Sequence, residues 1–87
     1  TDFSGSLFRN ADLDGANFYG ANLSNADLSG AVMDSADLTR ADLRGANLQN
    51  ANLQNTELTN TKYDRDTKWP QNFDPETAGA ILLTMSK

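Results

Sequence analysis

Twelve aspartates and glutamates, with no histidine and no cysteine, set the chemistry open to this sequence. The commonest general base and the thiol nucleophile are both missing. Disulfides and cysteine-based zinc sites are excluded as well. Carboxylates can still do two things. A convergent pair in unlike environments can share acid and base roles, and a loop of oxygen ligands at fixed offsets can hold Ca²⁺. Neither pattern is present. The carboxylates recur as positions of a repeat, and no loop has calcium-binding spacing. Gly5, Gly15, Gly20, Gly30 and Gly45 fall on multiples of five and match no phosphate loop. This reading assigns no catalytic, cofactor-binding or metal-ligating residue and expects a non-enzyme without a cofactor.

The repeat that carries the carboxylates dominates the chain. Every fifth residue from Phe3 to Tyr63 is large and apolar, as in Phe8, Leu13, Phe18, Leu23, Leu28 and Met33. Two residues before each stands a small one: Thr1, Ser6, nine alanines from Ala11 to Ala51, then Thr56 and Thr61. No insertion breaks this frame up to Arg65. A helix fails on geometry: at about 100° per residue, each large residue would sit about 140° from the last and spiral around the axis. A flat strand fails because an odd period alternates faces. A short extended piece followed by a corner satisfies the pattern. Large and small residues two apart then both point inward, while Gly, Asn, Ser or Arg takes the corner, where turn geometry favours Gly and Asn.

The units "ADLSG", "ADLTR", "ADLRG" and "ANLQN" resemble the pentapeptide repeat family, whose motif is A(D/N)LXX. The resemblance covers residues 1–65. It implies an all-β solenoid, a right-handed quadrilateral β-helix in which four units make one square coil. Thirteen units give about three coils. Four per coil stacks Phe3, Leu23, Leu43 and Tyr63 on one face; Phe8, Leu28 and Leu48 on the second; Leu13, Met33 and Leu53 on the third; Phe18, Leu38 and Leu58 on the fourth. The third face gathers Asp12, Asp14, Asp34 and Asn52, the best acidic candidate. In "SLFRN" and "AVMDS", Leu7 and Val32 replace the usual polar, outward residue and mark exposed apolar spots.

Residues 66–87 differ in character and read as a capping segment. "DPET" has the form of a helix start, with Asp74 as N-cap, Pro75 in the first helical position and Glu76 in the first turn. An α-helix from about residue 75 is expected, its apolar face formed by Ala78, Ile81, Leu82 and Met85. Trp69 and Phe73 are expected to lie largely buried on the last coil near Leu58 and Tyr63, because an open solenoid end exposes interior and unpaired backbone. The string "YDRDTKWPQNFDPETAGA" also resembles the tail of many cyanobacterial members. Phe3, Phe8 and Phe18 cluster at the other end. Because Thr1 is already in frame, this end is expected to continue upstream, in flanking parts of a longer parent chain, or to contact another molecule, a homodimer through the N-terminal coil being one form.

Charge narrows the partners. The chain carries a net −5, and residues 1–39 hold six aspartates against Arg9 alone. A nucleic-acid binder needs a basic patch, so direct nucleic-acid binding is not expected, nor is membrane insertion, since no apolar run approaches about 18 residues. Two functions follow: a non-catalytic structural or protein-interaction module, or an acidic DNA mimic acting on a partner such as DNA gyrase, as some members of the resembled family do. Three coils at about 4.8 Å span roughly 15 Å, under half of a B-DNA turn of about 34 Å, which favours the module. Absent cysteine fits the cytoplasm; a thylakoid lumen or periplasm fits if a signal peptide was removed.

Overall fold

In the computed structural model, which describes residues 2–83, the chain winds into stacked square coils. Parallel bridges link residues twenty apart: Asp2 to Asn22, Leu7 to Asp27, Asp12 to Val32 and Asn17 to Asp37 open the four sides. The same step repeats upward through Asp42 to Lys62 on the first side and Asp37 to Glu57 on the fourth. Four units per turn, expected from the family resemblance, is therefore the observed register.

Each unit is held by three kinds of backbone bond. The large residue and the corner residue donate to the coil above, as Leu38 N–H does to Glu57 O (2.8 Å) and Arg40 N–H to Thr59 O (3.0 Å). The residue before the large one donates downward, as Glu57 N–H does to Ala36 O (2.9 Å). The corner itself closes when the next small residue donates back three positions, as in Ala41 N–H to Leu38 O (2.9 Å). Such a turn needs a left-handed third residue. All twelve corner residues from Gly5 to Asn60 have φ between 58° and 73°.

Glycine and asparagine take that conformation readily, but Arg40 (φ 63°) and Ser35 (φ 63°) do not. A non-glycine residue there costs about 1–2 kcal/mol, and glycine returns about 0.5–1 kcal/mol of that through its freer unfolded chain. Arg40→Gly should accordingly stabilise the protein by about 0.5–1 kcal/mol, read as a higher urea midpoint. An unchanged or lower midpoint would show that the Arg40 side chain contributes more than its strain costs.

The interior is a ladder of large residues alternating with alanines. Leu23, Leu28, Met33, Leu38, Leu43 and Leu48 are fully excluded from water, as are Ala31, Ala36, Ala41 and Ala46 between them. At the upper end three threonines replace alanine. Thr56, Thr61 and Thr67 donate their hydroxyls to the carbonyls of Met33 (2.7 Å), Leu38 (2.6 Å) and Leu43 (2.8 Å) one coil below. A buried hydroxyl needs such a partner, and each of these carbonyls thereby accepts a second bond.

The ladder runs past Arg65 with one extra residue. Asn47 bridges Lys68, a step of 21 rather than 20. The corner moves to Asp64–Thr67, closed by Thr67 N–H to Asp64 O (3.1 Å). This shift leaves the Tyr63 carbonyl free for the chain above. Strand β1, Lys62–Tyr63, pairs in parallel with β2, Ile81–Leu82. Leu83 N–H then bonds Tyr63 O (2.7 Å).

The expected C-terminal helix is not there. Pro75–Gly79 makes a single turn. Asp74 does cap it, accepting from Glu76 N–H (3.1 Å) and from the Thr77 hydroxyl (2.7 Å). The turn stops at Gly79, whose φ is 99° and whose carbonyl accepts from Asn60 N–H (2.9 Å). Beyond it, Ile81 N–H pairs with Thr61 O (2.7 Å). The open upper edge of the coil thus claims backbone groups that a helix would have used. Ile81 and Leu82 lie on β2 with about two fifths of their surface exposed, rather than on a helix face, and Met85 lies outside the described residues. Trp69 and Phe73 stack at 5.3 Å, and Trp69 meets Tyr63 edge-on at 5.4 Å. Both are half-buried rather than largely buried.

Candidate interaction surface

The outward positions divide into a structural set and a free set. Before nine of the thirteen large residues stands an aspartate or asparagine, and it turns its side chain onto its own corner. Asn22 Oδ1 accepts from Ser24 N–H (3.0 Å), Asp37 from Thr39 N–H (3.0 Å), Asn47 from Gln49 N–H (3.0 Å) and Asn52 from Gln54 N–H (3.0 Å). This is the Asx-turn geometry that short polar side chains support. Reading the sequence as outward-facing polarity missed this role. The signal was the preference for Asp and Asn, which fill nine of the thirteen such positions against one Glu and one Lys, where simple solubility would accept Glu, Lys or Gln equally. Leu7 and Val32 cannot make the bond. Both face outward as expected, 74% and 39% exposed.

Several of these carboxylates are held below their usual pKa. Asp27 is lowered first by the Ser29 hydroxyl (2.7 Å) and next by the Ser29 amide (3.1 Å). Asp42 is lowered chiefly by the Arg44 guanidinium, which forks onto it at 2.9 and 2.7 Å. Asp2 is lowered by Ser4, and Asp74 by the Thr77 hydroxyl. A folded pKa below the unfolded value means that the unfolded chain takes up protons first. The contribution is fully present above the ordinary carboxylate pKa and is lost as pH falls through the lowered folded values. Urea midpoints should hold from pH 7 to 5 and drop between pH 4 and 2. A midpoint unchanged at pH 2 would show that the Asx bonds contribute nothing as ionised groups.

The acidic face is assembled as expected in position, but its members do not converge. Asp12, Val32 and Asn52 stack by backbone bridges. The Asp12 carboxylate turns to Asp14 N–H (3.2 Å), and Asp34 accepts from the Asn55 amide (3.4 Å) and the Ser35 hydroxyl (3.3 Å). Among the described residues, no group of three or more acidic side chains is arranged to hold a metal ion. A groove of about 290 Å³ lies where the register slips, lined by Ser24, Asn25, Arg44, Gly45, Asp64 and Asp66. Two of its charged groups are already engaged: Arg44 with Asp42, and Asp64 with Gly45 N–H (3.0 Å) and Asp66 N–H (3.0 Å). The residue after each large one keeps its side chain outside the core and the corner, in places bonded back to the Asx residue, as Ser29 is to Asp27 and Arg44 to Asp42. Arg9, Asp14, Tyr19, Ser29, Arg44 and Gln49 stand at such positions. Of these, Arg9 reaches the coil above, 3.3 Å from Asp27, an exposed pair of the kind worth little.

The pentapeptide repeat model matches residues 1–34 and 26–62 with eight copies, most of the chain. The chain belongs to the pentapeptide repeat family. The right-handed quadrilateral β-helix follows from that membership and agrees with the four-sided register above. A solved pentapeptide repeat protein from Nostoc is 38% identical over 95% of this chain and 77% of its own, with a TM-score of 0.60. A second, from the cyanobacterium Cyanothece, is 43% identical over 79% of this chain and 44% of its own, with a TM-score of 0.43. No curated protein matches the chain. Among the described residues, no helix is long and apolar enough to cross a membrane. Family membership thus accounts for the repeat residues and leaves the free outward positions to carry whatever is individual to this member.

Proposed function

We propose that this pentapeptide repeat protein is a non-catalytic interaction module that presents the outward residues of a rigid square solenoid to a protein partner. The supporting observation is the division of labour within each unit. Four of the five positions close the coil through the two core residues, the corner and the Asx bond, while the side chain of the remaining one varies from Arg9 to Tyr19 to Gln49 outside the core. Surface chemistry can then change unit by unit at little cost in stability, as with most exposed substitutions. The short stack and modest net charge weigh against mimicry of a DNA duplex, which carries one charge per about 1.7 Å.

The test uses four baits, each with the free outward residues of one face changed to serine. A partner captured by the native protein should be lost with one face variant and kept with the other three. Equal capture by all four would sink the module reading, as would inhibition of purified DNA gyrase that persists in every variant.

A further inference from the structure

We infer that the corners carry a register device: stacked corners pair glycine with a longer residue, and this pairing selects four units per coil over three or five. The device is independent of the interaction-module reading. Something besides the interior must choose the register. Every unit supplies the same inward pair, a small residue and a large one. A slip by a whole unit therefore buries the same kinds of side chain, and a pattern that tolerates slips needs a feature that rejects them.

The corner columns supply that feature. At two corners an asparagine side chain leans over the corner one coil above. Asn10 Oδ1 fills the place where a Cβ on Gly30 would stand, and Asn25 Oδ1 does the same at Gly45. An oxygen set against a backbone Cα is a weak contact of the Cα–H···O kind, and glycine in the upper coil leaves room for it. Conversely, a glycine below leaves the space to an upper side chain, as Gly5 does for Asn25, Gly15 for Ser35, Gly20 for Arg40 and Gly30 for Asn50. All six successive pairs from Gly5–Asn25 to Gly30–Asn50 thus contain one glycine and one longer residue.

Other registers lose the match. Three units per coil would set Asn10 beneath Asn25 and Asn25 beneath Arg40, while Gly5 would fall beneath Gly20 and Gly15 beneath Gly30. Five units would set Asn10 beneath Ser35 and Asn25 beneath Asn50. Each of these brings a Cβ to the place that the asparagine oxygen takes. Two pairs higher in the stack depart from the rule. Beneath Asn55, Ser35 turns its hydroxyl aside to Asp34 (3.3 Å). Arg40 beneath Asn60 is the other, and it is the corner where exchange for glycine is expected to stabilise.

Two double-mutant cycles and one refolding measurement on the purified protein test the device. Gly30→Asn should lower the folding equilibrium constant about tenfold more in the native background than in Asn10→Gly, where the lower corner is vacant. Gly20→Asn, which puts a side chain beneath Arg40, should likewise cost less once Arg40→Gly has cleared the upper corner. Left-handed strain at the substituted residue is common to both backgrounds and cancels. If Gly30→Asn alone does not fold, a folded Asn10→Gly/Gly30→Asn variant reads the same rescue. The register itself is read by refolding from urea. Asn10→Gly/Asn25→Gly removes both asparagines, and its refolding should gain a slow phase from mispaired units that the native protein lacks. Additive losses in either cycle overturn the inference, as does an unfolded Asn10→Gly/Gly30→Asn variant. Unchanged refolding phases in Asn10→Gly/Asn25→Gly overturn it as well.

Discussion

Leu38→Asp should leave the protein unfolded. Leu38 is fully excluded from water on the fourth side, with Phe18 and Leu58 at the same inward place in the coils below and above. Removing a buried leucine costs about 2–5 kcal/mol. An aspartate there adds the cost of a charge or an unpaired acid in an apolar interior. The backbone offers no relief, since Leu38 N–H and C=O are already committed to Glu57 O, Ala41 N–H and the Thr61 hydroxyl. Marginal stability of about 0.05–0.15 kcal/mol per residue gives a chain of this size roughly 4–13 kcal/mol. The combined loss is expected to consume it. Thr39→Asp, one residue on and partly exposed, should remain folded. Loss of amide dispersion in the NMR spectrum of Leu38→Asp, with dispersion kept in Thr39→Asp, is the predicted pair of results. A cooperative thermal transition in Leu38→Asp would show that Leu38 does not face a packed interior.

Removal of residues 66–87 should make the protein aggregate. The deleted segment supplies Lys68, whose carbonyl accepts from Leu48 N–H (2.6 Å), and Thr67, whose hydroxyl bonds Leu43 O. It supplies β2 over β1, the Trp69 ring against Tyr63 and the Phe73 ring stacked on Trp69. Without it, the upper coil presents a parallel edge beside Leu48, Leu53, Leu58 and Tyr63, all buried in the intact chain. An unpaired edge next to apolar surface is a template for association. Light scattering should report large, heterogeneous particles. A truncated protein that stays monomeric with an unchanged melting temperature would mean that the tail does not close the solenoid.

The inward ladder was the most legible part of the molecule. Leu23 to Leu58 and the alanines two before them obey one frame, and that frame has one geometric solution. The corners were legible for the same reason, because Gly and Asn recur where φ must be positive. The Asx bonds at Asn22 or Asp37 were harder to see. They depend on which way a short side chain turns, and exposure alone does not distinguish an aspartate bonded to its own corner from one bonded to water. The tail was misread for a different reason. "DPET" is a sound helix start, and Asp74 caps a turn as expected. What happens next is decided by the Thr61 and Tyr63 carbonyls of the coil below, which lie far away in sequence. Even so, two signals were present. Thr67, Lys68 and Trp69 repeat the small, polar, large order one residue out of frame, and Ala80, Ile81 and Leu82 end on a leucine in register with Tyr63.

The function was the least legible part, since the repeat spends its regular positions on the fold. Arg9, Tyr19 and Gln49 lie outside that regularity, and a single sequence does not say which of them meets a partner.

The register is the central claim, and hydrogen-bond scalar couplings measure it directly. On a uniformly labelled sample, Lys62 N–H should couple to the Ala41 carbonyl and Lys68 N–H to the Ala46 carbonyl, a step of 21 followed by a step of 22. Both together establish four units per coil and the single-residue slip between Tyr63 and Thr67. Couplings displaced by a whole unit, or a Thr67 N–H coupled to Ala46 in place of Lys68, would contradict the account.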